Sequence, residues 1–348
     1  MIPDILSEAS MITEKDIQLF LDFLSIDSTT GRERAGAEWL ATHLKTPGNR
    51  VETHEVGDGS LNVLLSWGTP KVYFCSHCDT VPPYIPPTLR EDRIEGRGSC
   101  DAKGQVFSMF LACRRLEEMG LTGFGLLVLA GEETGSFGAK AWTRDCPGGD
   151  VVIVGEPTGN AMVTASKGTQ SFSMTFRGTP CHSGYPQLGE SAVDLFLDFA
   201  DRLRTAWFPP DPELGETTWN IGKLSSDNPQ NILSPELTCR VYFRTTFASH
   251  AFVGSLMEGF QSDKVRVEAH GGDTPMHYLT VPGLPTTTVA FGSDAPQLHK
   301  FGKRALCGPG SITVAHTAAE HVLLADLETA VGQYVETARY LLSEVVDN

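Results

Sequence analysis

The sequence predicts an α/β protein built on a mixed sheet, with a smaller α+β unit inserted into it. Helical and strand-like apolar segments alternate through the first half of the chain, which is typical of a sheet layered with helices. From about residue 167 to 275 the order becomes strand, helix, strand, strand, helix, strand, as in a ferredoxin-like unit. A chain of 348 residues is also long for one core, so about two domains are expected.

The first half supplies most of the predicted main domain. Helices are predicted over residues 13–26, 33–45 and 105–119. Strands are predicted over residues 51–56, 61–67, 71–76, 125–130 and 151–154. Thr13 is a suitable N-cap for the first helix, and Gly120 ends the third.

The middle of the chain forms the predicted insertion. Its strands are expected at 170–177, 219–224 and 236–245, and its helices at 190–205 and 248–260. The chain then returns to the main domain with the segment 287–291, a Gly-Pro-Gly turn at 308–310 and a final helix at about 325–344. We therefore place the main domain at residues 1–166 and 276–348 and the insertion at 167–275.

Composition excludes several classes of partner. The net charge is −16 and no Lys/Arg cluster is present, which argues against nucleic acid and anionic membranes. No apolar run approaches the ~18 residues that a membrane span requires. The start, Met1-Ile2-Pro3-Asp4, lacks the features of a signal peptide, and the eight cysteines are scattered, so a cytoplasmic protein is expected.

Cys75 and Cys78 have the C-x-x-C spacing of redox and zinc-thiolate sites. A structural zinc site would need a second such pair, and the sequence contains none. The run 72–76 looks like a buried strand, in which cysteine behaves as a small apolar residue. We favour that structural interpretation over a thiolate site.

Acidic residues follow the predicted strands. Glu132 and Glu133 come after the strand at 125–130, and Glu156 follows the strand at 151–154. Asp101 lies in the loop that feeds the helix at 105–119. Carboxyl ends of strands are where open α/β sheets bind ligands, and a cation would offset the repulsion between adjacent carboxylates. The alternatives are a helix N-cap for Asp101 and solvated strand ends for the glutamates.

Two histidines complete the pattern. His77 and Asp79 are separated by one residue, so His77 could ligate a metal while Asp79 accepts its other N–H. The alternative is a His–Asp pair that satisfies only itself. His316 precedes the final helix and is a weak signal by itself. Together the five segments predict two zinc ions sharing one carboxylate, with one glutamate left as a base for amide hydrolysis.

These segments resemble the zinc-dependent amidohydrolases and exopeptidases that include acetylornithine deacetylase, succinyl-diaminopimelate desuccinylase, aminoacylase and carboxypeptidase G. The resemblance runs from Leu24 to Ala330. Its landmarks are Ser76-His77-Cys78-Asp79-Thr80, the run from Gly96 to Gly104, Gly131-Glu132-Glu133, Gly155-Glu156-Pro157-Thr158, His316-Thr317, the run from Gly178 to Ser183, the run from Asn231 to Pro235, and Arg244.

The resemblance implies a catalytic domain of the zinc exopeptidase type and a lid and dimerisation domain. It also implies that one zinc is held by His77, Asp101 and Glu156. The other would be held by Asp101, Glu133 and His316. Glu132 would be the general base and Asp79 the orienter of His77. Cobalt or manganese would fit similar ligands.

Substrate contacts are expected from the insertion. The resemblance implies that His182 polarises the scissile carbonyl, from the partner subunit in dimeric relatives, and that Asn231 contacts substrate. Arg244 and Lys167 are candidate cations for a substrate carboxylate, and the backbone at Gly308 is a further candidate anchor. The alternatives are a strand salt bridge for Arg244 and a surface position for Lys167.

The predicted activity is hydrolysis of an N-acyl-L-amino acid. The segment 292–296 resembles acetylornithine-like members, which favours N-acetyl-L-ornithine and arginine biosynthesis. Acetylcitrulline, succinylornithine, acetyl-lysine and succinyl-diaminopimelate, the last in lysine biosynthesis, are the related substrates. The alternatives are a dipeptidase or carboxypeptidase of the same fold and a non-catalytic metal-binding homologue. A homodimer is expected through the lid.

Overall fold

A computed structural model describes residues 12–57 and 59–346 of the chain, so the predicted absence of a signal at Met1–Asp4 lies outside the described residues. The described residues form two compact units. The larger takes the described parts of Met1–Thr164 and Ser293–Asn348 together with Tyr278–Thr287. The second takes Ala165–His277 and Thr288–Gly292. Residues 288–292 were expected in the main domain, but they group with the second unit, where the Lys167 N–H donates to the Val289 carbonyl at 3.0 Å.

Most secondary structure follows the predicted segments with small shifts at the ends. The helices are α1 (Glu14–Leu24), α2 (Arg34–His43), α3 (Lys103–Glu118), α4 (Phe137–Asp145), α5 (Ala192–Thr205), α6 (His250–Glu258) and α7 (Leu324–Val346). The strands are β1 (Arg50–Gly57), β2 (Ser60–Trp67), β3 (Val72–His77), β4 (Thr88–Leu89), β5 (Arg93–Glu95), β6 (Phe124–Leu129), β7 (Val151–Val154), β8 (Met162–Ser166), β9 (Gly168–Arg177), β10 (Thr218–Ser225), β11 (Glu236–Thr245), β12 (Val265–Ala269), β13 (Met276–His277), β14 (Thr286–Val289), β15 (Lys303–Leu306) and β16 (His321–Leu323).

Local sequence explains how α1 and α3 are bounded. The Thr13 side chain accepts the Asp16 N–H while Asp16 accepts the Thr13 N–H, which forms the capping box of α1. Gly120, at a φ of +73°, follows the last turn of α3, where its left-handed backbone suits a glycine. The predicted cap at Thr13 and the helix end at Gly120 are both confirmed.

The larger unit contains a six-stranded mixed sheet in the order β1-β2-β6-β3-β7-β15. Strands β6, β3, β7 and β15 are mutually parallel, whereas β1 and β2 pair antiparallel at one edge. Every residue of β2, β3, β6 and β7 is buried, as expected for strands covered on both faces. The predicted α/β class with a mixed sheet is confirmed.

The second unit contains a four-stranded antiparallel sheet in the order β10-β11-β9-β12. Its buried core joins apolar side chains of β9 and β11, such as Phe176 and Phe243, to side chains of α5 and α6, such as Leu203 and Met257. The alternating burial of β11 is what one covered sheet face requires.

Candidate metal centre

Neighbouring parallel strands bring the predicted ligands to one edge of the sheet of the larger unit. His77 is the last residue of β3, Glu132 and Glu133 follow β6, and Glu156 follows β7. The chain turns between β6 and Glu132 at Gly131, which has a φ of +70°. A Cβ at Gly131 would lie 1.6 Å from the Phe137 ring, so this turn requires glycine.

Asp101 lies between the two histidines. One carboxylate oxygen, Oδ1, is 3.2 Å from His77 Nε2, and the other, Oδ2, is 3.2 Å from His316 Nε2. His316 Nε2 is also 3.1 Å from Glu133 Oε1. The N-cap of α3 is Ala102, without a side-chain cap, so the alternative of Asp101 as that cap is wrong. A carboxylate with each oxygen facing a different imidazole has the arrangement of a bridging ligand.

The ring of His77 has a fixed tautomer. Its Nδ1 lies 3.0 Å from the carbonyl oxygen of Asp79, which can only accept, so Nδ1 carries the proton. Nε2 of the neutral ring then presents a lone pair toward Asp101, and this buried atom forms no hydrogen bond. A lone pair that faces a carboxylate at this distance is repelled unless a proton or a metal ion lies between the two atoms. The ring therefore fits a metal ligand.

Asp79 differs from the prediction in the atom that it uses on His77. Its carbonyl, not its carboxylate, accepts the Nδ1–H, and Oδ1 lies 3.5 Å from that nitrogen. The carboxylate instead accepts the backbone N–H groups of Glu132 and Glu133, each at 3.1 Å. Asp79 is fully buried, and it fixes both the ring of His77 and the turn that carries the two glutamates.

Charge is poorly balanced among these side chains. Burial raises the pKa of Glu132 and of Glu156 well above the usual range, and neighbouring carboxylates raise both pKa values further. Burial opposes a charged His77, yet Asp101 and Asp79 raise its pKa well above the usual value. Burial also opposes ionisation of Asp101, but the two imidazoles hold its pKa well below the usual range. Bound cations would resolve this excess of carboxylates.

His316 combines backbone strain with two carboxylate contacts. Its φ is +61°, a left-handed conformation that costs a non-glycine residue of order 1–3 kcal/mol and is enriched at functional sites. Hydrogen bonds to Asp101 and Glu133 raise the pKa of this half-exposed ring to about 10. The strained backbone directs the ring toward both carboxylates.

The described residues include three groups of candidate metal ligands, and within each group the ligand atoms lie within 4.8 Å of one another. They are His77, Asp101 and Glu156; Asp101, Glu133 and His316; and His77, Glu132 and Glu133. The first two groups coincide with the two predicted ligand sets and share Asp101. The third places Glu132 beside both sets.

Three buried charged residues near the site were not among the predicted site residues. Asp294 is 1% exposed, and its charge raises the pKa of Glu132 and of Glu156. The sequence analysis included it only as part of the segment 292–296. Arg97 and Glu320 are buried beneath the Asp101 loop and were not singled out. Glu320 lies four residues after His316, a spacing that could have drawn attention to it.

The predicted substrate residues of the second unit have contacts of their own. His182 Nδ1 accepts the Gly184 N–H at 3.0 Å, and the Arg244 guanidinium lies 4.9 Å from the centre of the Tyr242 ring. Lys167 Nζ donates to the Glu216 carbonyl. The Asn231 carbonyl accepts the Ser183 N–H at 2.9 Å.

Gly308 does not have the geometry expected of a substrate anchor. Its N–H donates to Thr158 Oγ1 at 3.0 Å, and its carbonyl accepts the Asn160 N–H at 2.8 Å. A Cβ there would lie 1.9 Å from Gln105 Oε1, so the glycine serves close packing in the interior. Its backbone groups are used within the protein, which counts against Gly308 as a substrate anchor, and the anchoring role of the 308–310 backbone stays a prediction.

The paired cysteines are structural. Cys75 and Cys78 are free and fully buried. Burial raises the pKa of Cys78 to about 12 and that of Cys75 well above the usual value, so both remain thiols. Among the described residues, no helix combines the length and apolarity needed to cross a membrane.

Solved structures show the same fold. A tripeptidase of Staphylococcus aureus superposes with a TM-score of 0.79 at 21% identity, over 94% of this chain and 98% of that one. A metallo-carboxypeptidase of the M20 family from Sulfolobus solfataricus gives a TM-score of 0.71 at 15% identity, over 93% and 98%. At such identities the likeness concerns the fold.

Sequence comparison shows the family. The family model for peptidase family M20/M25/M40 matches residues 73–340. A peptidase M20 domain-containing protein of Schizosaccharomyces pombe is 31% identical, over 97% of this chain and 88% of its own length. A probable carboxypeptidase of Aspergillus clavatus is 33% identical, over 90% and 79%. The chain therefore belongs to peptidase family M20/M25/M40, whose enzymes are hydrolases that typically depend on two metal ions.

Proposed function

We propose that the protein is a metal-dependent exopeptidase of the carboxypeptidase or dipeptidase type, which removes the terminal residue of a short peptide. The main support is the position of the Asp101 carboxylate, whose two oxygens each lie 3.2 Å from a different histidine. Relatives named as carboxypeptidases favour peptide hydrolysis over the predicted deacetylation of N-acetylornithine. The arginine- and lysine-pathway assignments gain no support from these names.

The donor set suits two zinc ions. One would be held by His77, Asp101 and Glu156, and the other by Asp101, Glu133 and His316. Imidazole and carboxylate ligands are typical of zinc, although cobalt or manganese would fit them as well. When bound, the metal pair would lower the pKa of a water and polarise the scissile carbonyl.

Glu132 is the proposed general base. It lies within 4.8 Å of the ligand atoms of His77 and Glu133, and the two proposed ligand sets do not include it. Burial raises its pKa, which suits a carboxylate that takes a proton from water and then delivers it to the leaving amine. Asp79 holds the Glu132 N–H at 3.1 Å and so positions the base through its backbone.

Residues of the second unit are proposed to bind the substrate. Because His182 Nδ1 accepts the Gly184 N–H, the neutral ring carries its proton on Nε2, which can donate to the substrate carbonyl. Arg244 is the proposed partner of the substrate carboxylate, and Asn231 a further polar contact. The Lys167 ammonium donates to Glu216, so Arg244 is the better candidate of the two cations.

The testing experiment measures amine release from dipeptides, tripeptides, the same peptides with an amidated carboxyl end, and N-acetyl amino acids including N-acetylornithine. Each is assayed with added zinc and with a chelator. We expect chelator-sensitive cleavage of free peptides and little cleavage of amidated ones. Turnover confined to N-acetyl amino acids would contradict the peptidase assignment and restore the deacylase alternative. No turnover by metal-loaded protein would favour the non-catalytic alternative.

A further inference from the structure

The loop that carries Asp101 is held by a buried glutamate that is not one of the proposed ligands. Glu320 Oε1 accepts three backbone N–H groups of this loop, from Gly98 at 2.9 Å, Cys100 at 3.2 Å and Asp101 at 3.1 Å. The other oxygen, Oε2, pairs with the Arg97 guanidinium. One side chain therefore binds the backbone of the proposed bridging residue directly.

Both side chains of this ion pair are buried and hydrogen-bonded. Glu320 is 1% exposed and Arg97 is 3% exposed. Arg97 also donates from Nε to the Pro83 carbonyl at 3.3 Å, which fixes the guanidinium from a second side. Buried charged groups are retained in such positions only when they are paired and hydrogen-bonded, and here both carboxylate oxygens are used.

Strand pairing places Glu320 under the loop. Strand β16 begins at the next residue, His321, and pairs antiparallel with β5, which ends at Glu95 just before the loop. The Gly96 N–H donates to the Glu320 carbonyl at 3.0 Å and continues this pairing. The same short segment thus carries one proposed ligand, His316, and the support of another, Asp101.

We propose that Glu320, neutralised by Arg97, is a positioning residue that sets the backbone of Asp101 so that its two oxygens face the two metal sites. This inference rests on the proposed metal centre, and it adds to that centre a residue that positions a ligand without binding metal itself. Outer residues that orient metal ligands typically change metal affinity by 10- to 100-fold when mutated.

Substitution of Glu320 by glutamine tests the assignment with little change in volume. The amide has one oxygen, so either the three loop N–H groups or the Arg97 guanidinium must face an NH2 donor. The loop is expected to move, and Asp101 with it. We predict that Glu320→Gln weakens metal binding by 10- to 100-fold.

Glu117 offers a matched control in the same unit. Its carboxylate accepts the Trp67 Nε1–H and the Gly48 N–H, each at 2.8 Å. Glu117→Gln therefore also removes a carboxylate that ties a loop and a core side chain. These hydrogen bonds of Glu117 do not reach the Asp101 loop. The Glu117→Gln substitution should therefore lower the free energy of unfolding without changing metal affinity.

The experiment is a zinc titration in competition with a chromophoric chelator, with thermal unfolding of each metal-free protein recorded in parallel. The expected result is weaker zinc binding by Glu320→Gln and unchanged binding by Glu117→Gln. Equal affinity of Glu320→Gln and the wild type would overturn the inference, as would an equal loss in both variants. If Glu320→Gln does not fold, Glu320→Asp, which keeps the charge but shortens the side chain by one methylene and so draws the carboxylate away from the three loop N–H groups, is titrated instead, and unchanged affinity there overturns the inference.

The two claims fail in distinguishable ways. A wild-type protein that binds no zinc would remove the metal centre itself and with it the proposed function. A wild type that binds two zinc ions and a Glu320→Gln variant that binds both equally well would remove only the role of Glu320.

Discussion

The stability of the metal-free protein should fall as the pH rises from 5.5 to 7.5. Glu132 and Glu156 have pKa values that burial raises above those of the unfolded chain, so the folded apoprotein retains protons that the unfolded chain has lost. His77 and His316, with pKa values raised by carboxylates, add the same sign above pH 6.5, whereas Asp101, with its lowered pKa, is ionised in both states throughout this window. Stability falls with pH wherever the folded state binds more protons.

The size of the effect follows from the number of retained protons. Each one lowers the free energy of unfolding by about 1.4 kcal/mol per pH unit. His316 is half exposed and is left out because solvent screens its ion pairs. If the two buried glutamates together retain one proton throughout this window, the free energy of unfolding falls by about 3 kcal/mol over two pH units. For a unit of this size that corresponds to roughly 6–12 °C in Tm.

Thermal unfolding of chelated and zinc-loaded protein across this pH range provides the assay. The gap in Tm between the two should widen with pH, because zinc requires deprotonated ligands. A Glu132→Gln/Glu156→Gln double variant serves as control, since neither amide can ionise, and its apoprotein should lose much of the pH dependence. An apoprotein whose Tm is flat or rises between pH 5.5 and 7.5 would refute the electrostatic account of the site.

Three further predictions concern single groups and assembly. Glu132→Gln should lower kcat by about 10²- to 10⁴-fold with unchanged zinc content, and a wild-type kcat would exclude it as the base. Asp79→Asn places an NH2 group against the backbone N–H of Glu132 or Glu133 and should lower the free energy of unfolding in urea by about 1–3 kcal/mol. Unchanged stability would show that the Asp79 carboxylate does not stabilise this turn. We also propose a homodimer through the second unit; sedimentation should give twice 37.7 kDa, and a mass near 37.7 kDa would contradict it.

The ligand-bearing strands could be predicted because their sequences are unambiguous. Continuous apolar runs in β3, β6 and β7 each end at a histidine or carboxylate, and the carboxyl edge of a parallel sheet brings such ends together. Helix α4 was missed because Ser136, its N-cap, has a left-handed backbone and makes no side-chain cap, and Gly138 weakens the helical pattern.

The supporting contacts leave no pattern in the sequence. The Asp79 carboxylate binds backbone N–H groups more than 50 residues away, and Glu320 binds a loop about 220 residues away. Backbone donors are present at almost every residue, so nothing in the sequence marks which of them a buried carboxylate will meet. The sequence also could not decide between N-acyl amino acids and peptides as the substrate, because a few contacts in the binding pocket discriminate between related amides.

Zinc-edge anomalous diffraction from crystals of the zinc-loaded protein would locate the metal ions themselves. We expect two anomalous peaks, both in contact with Asp101, one also bounded by His77 and Glu156 and the other by Glu133 and His316. A single peak, or peaks that do not share Asp101, would contradict the dinuclear centre on which the proposed peptidase activity rests.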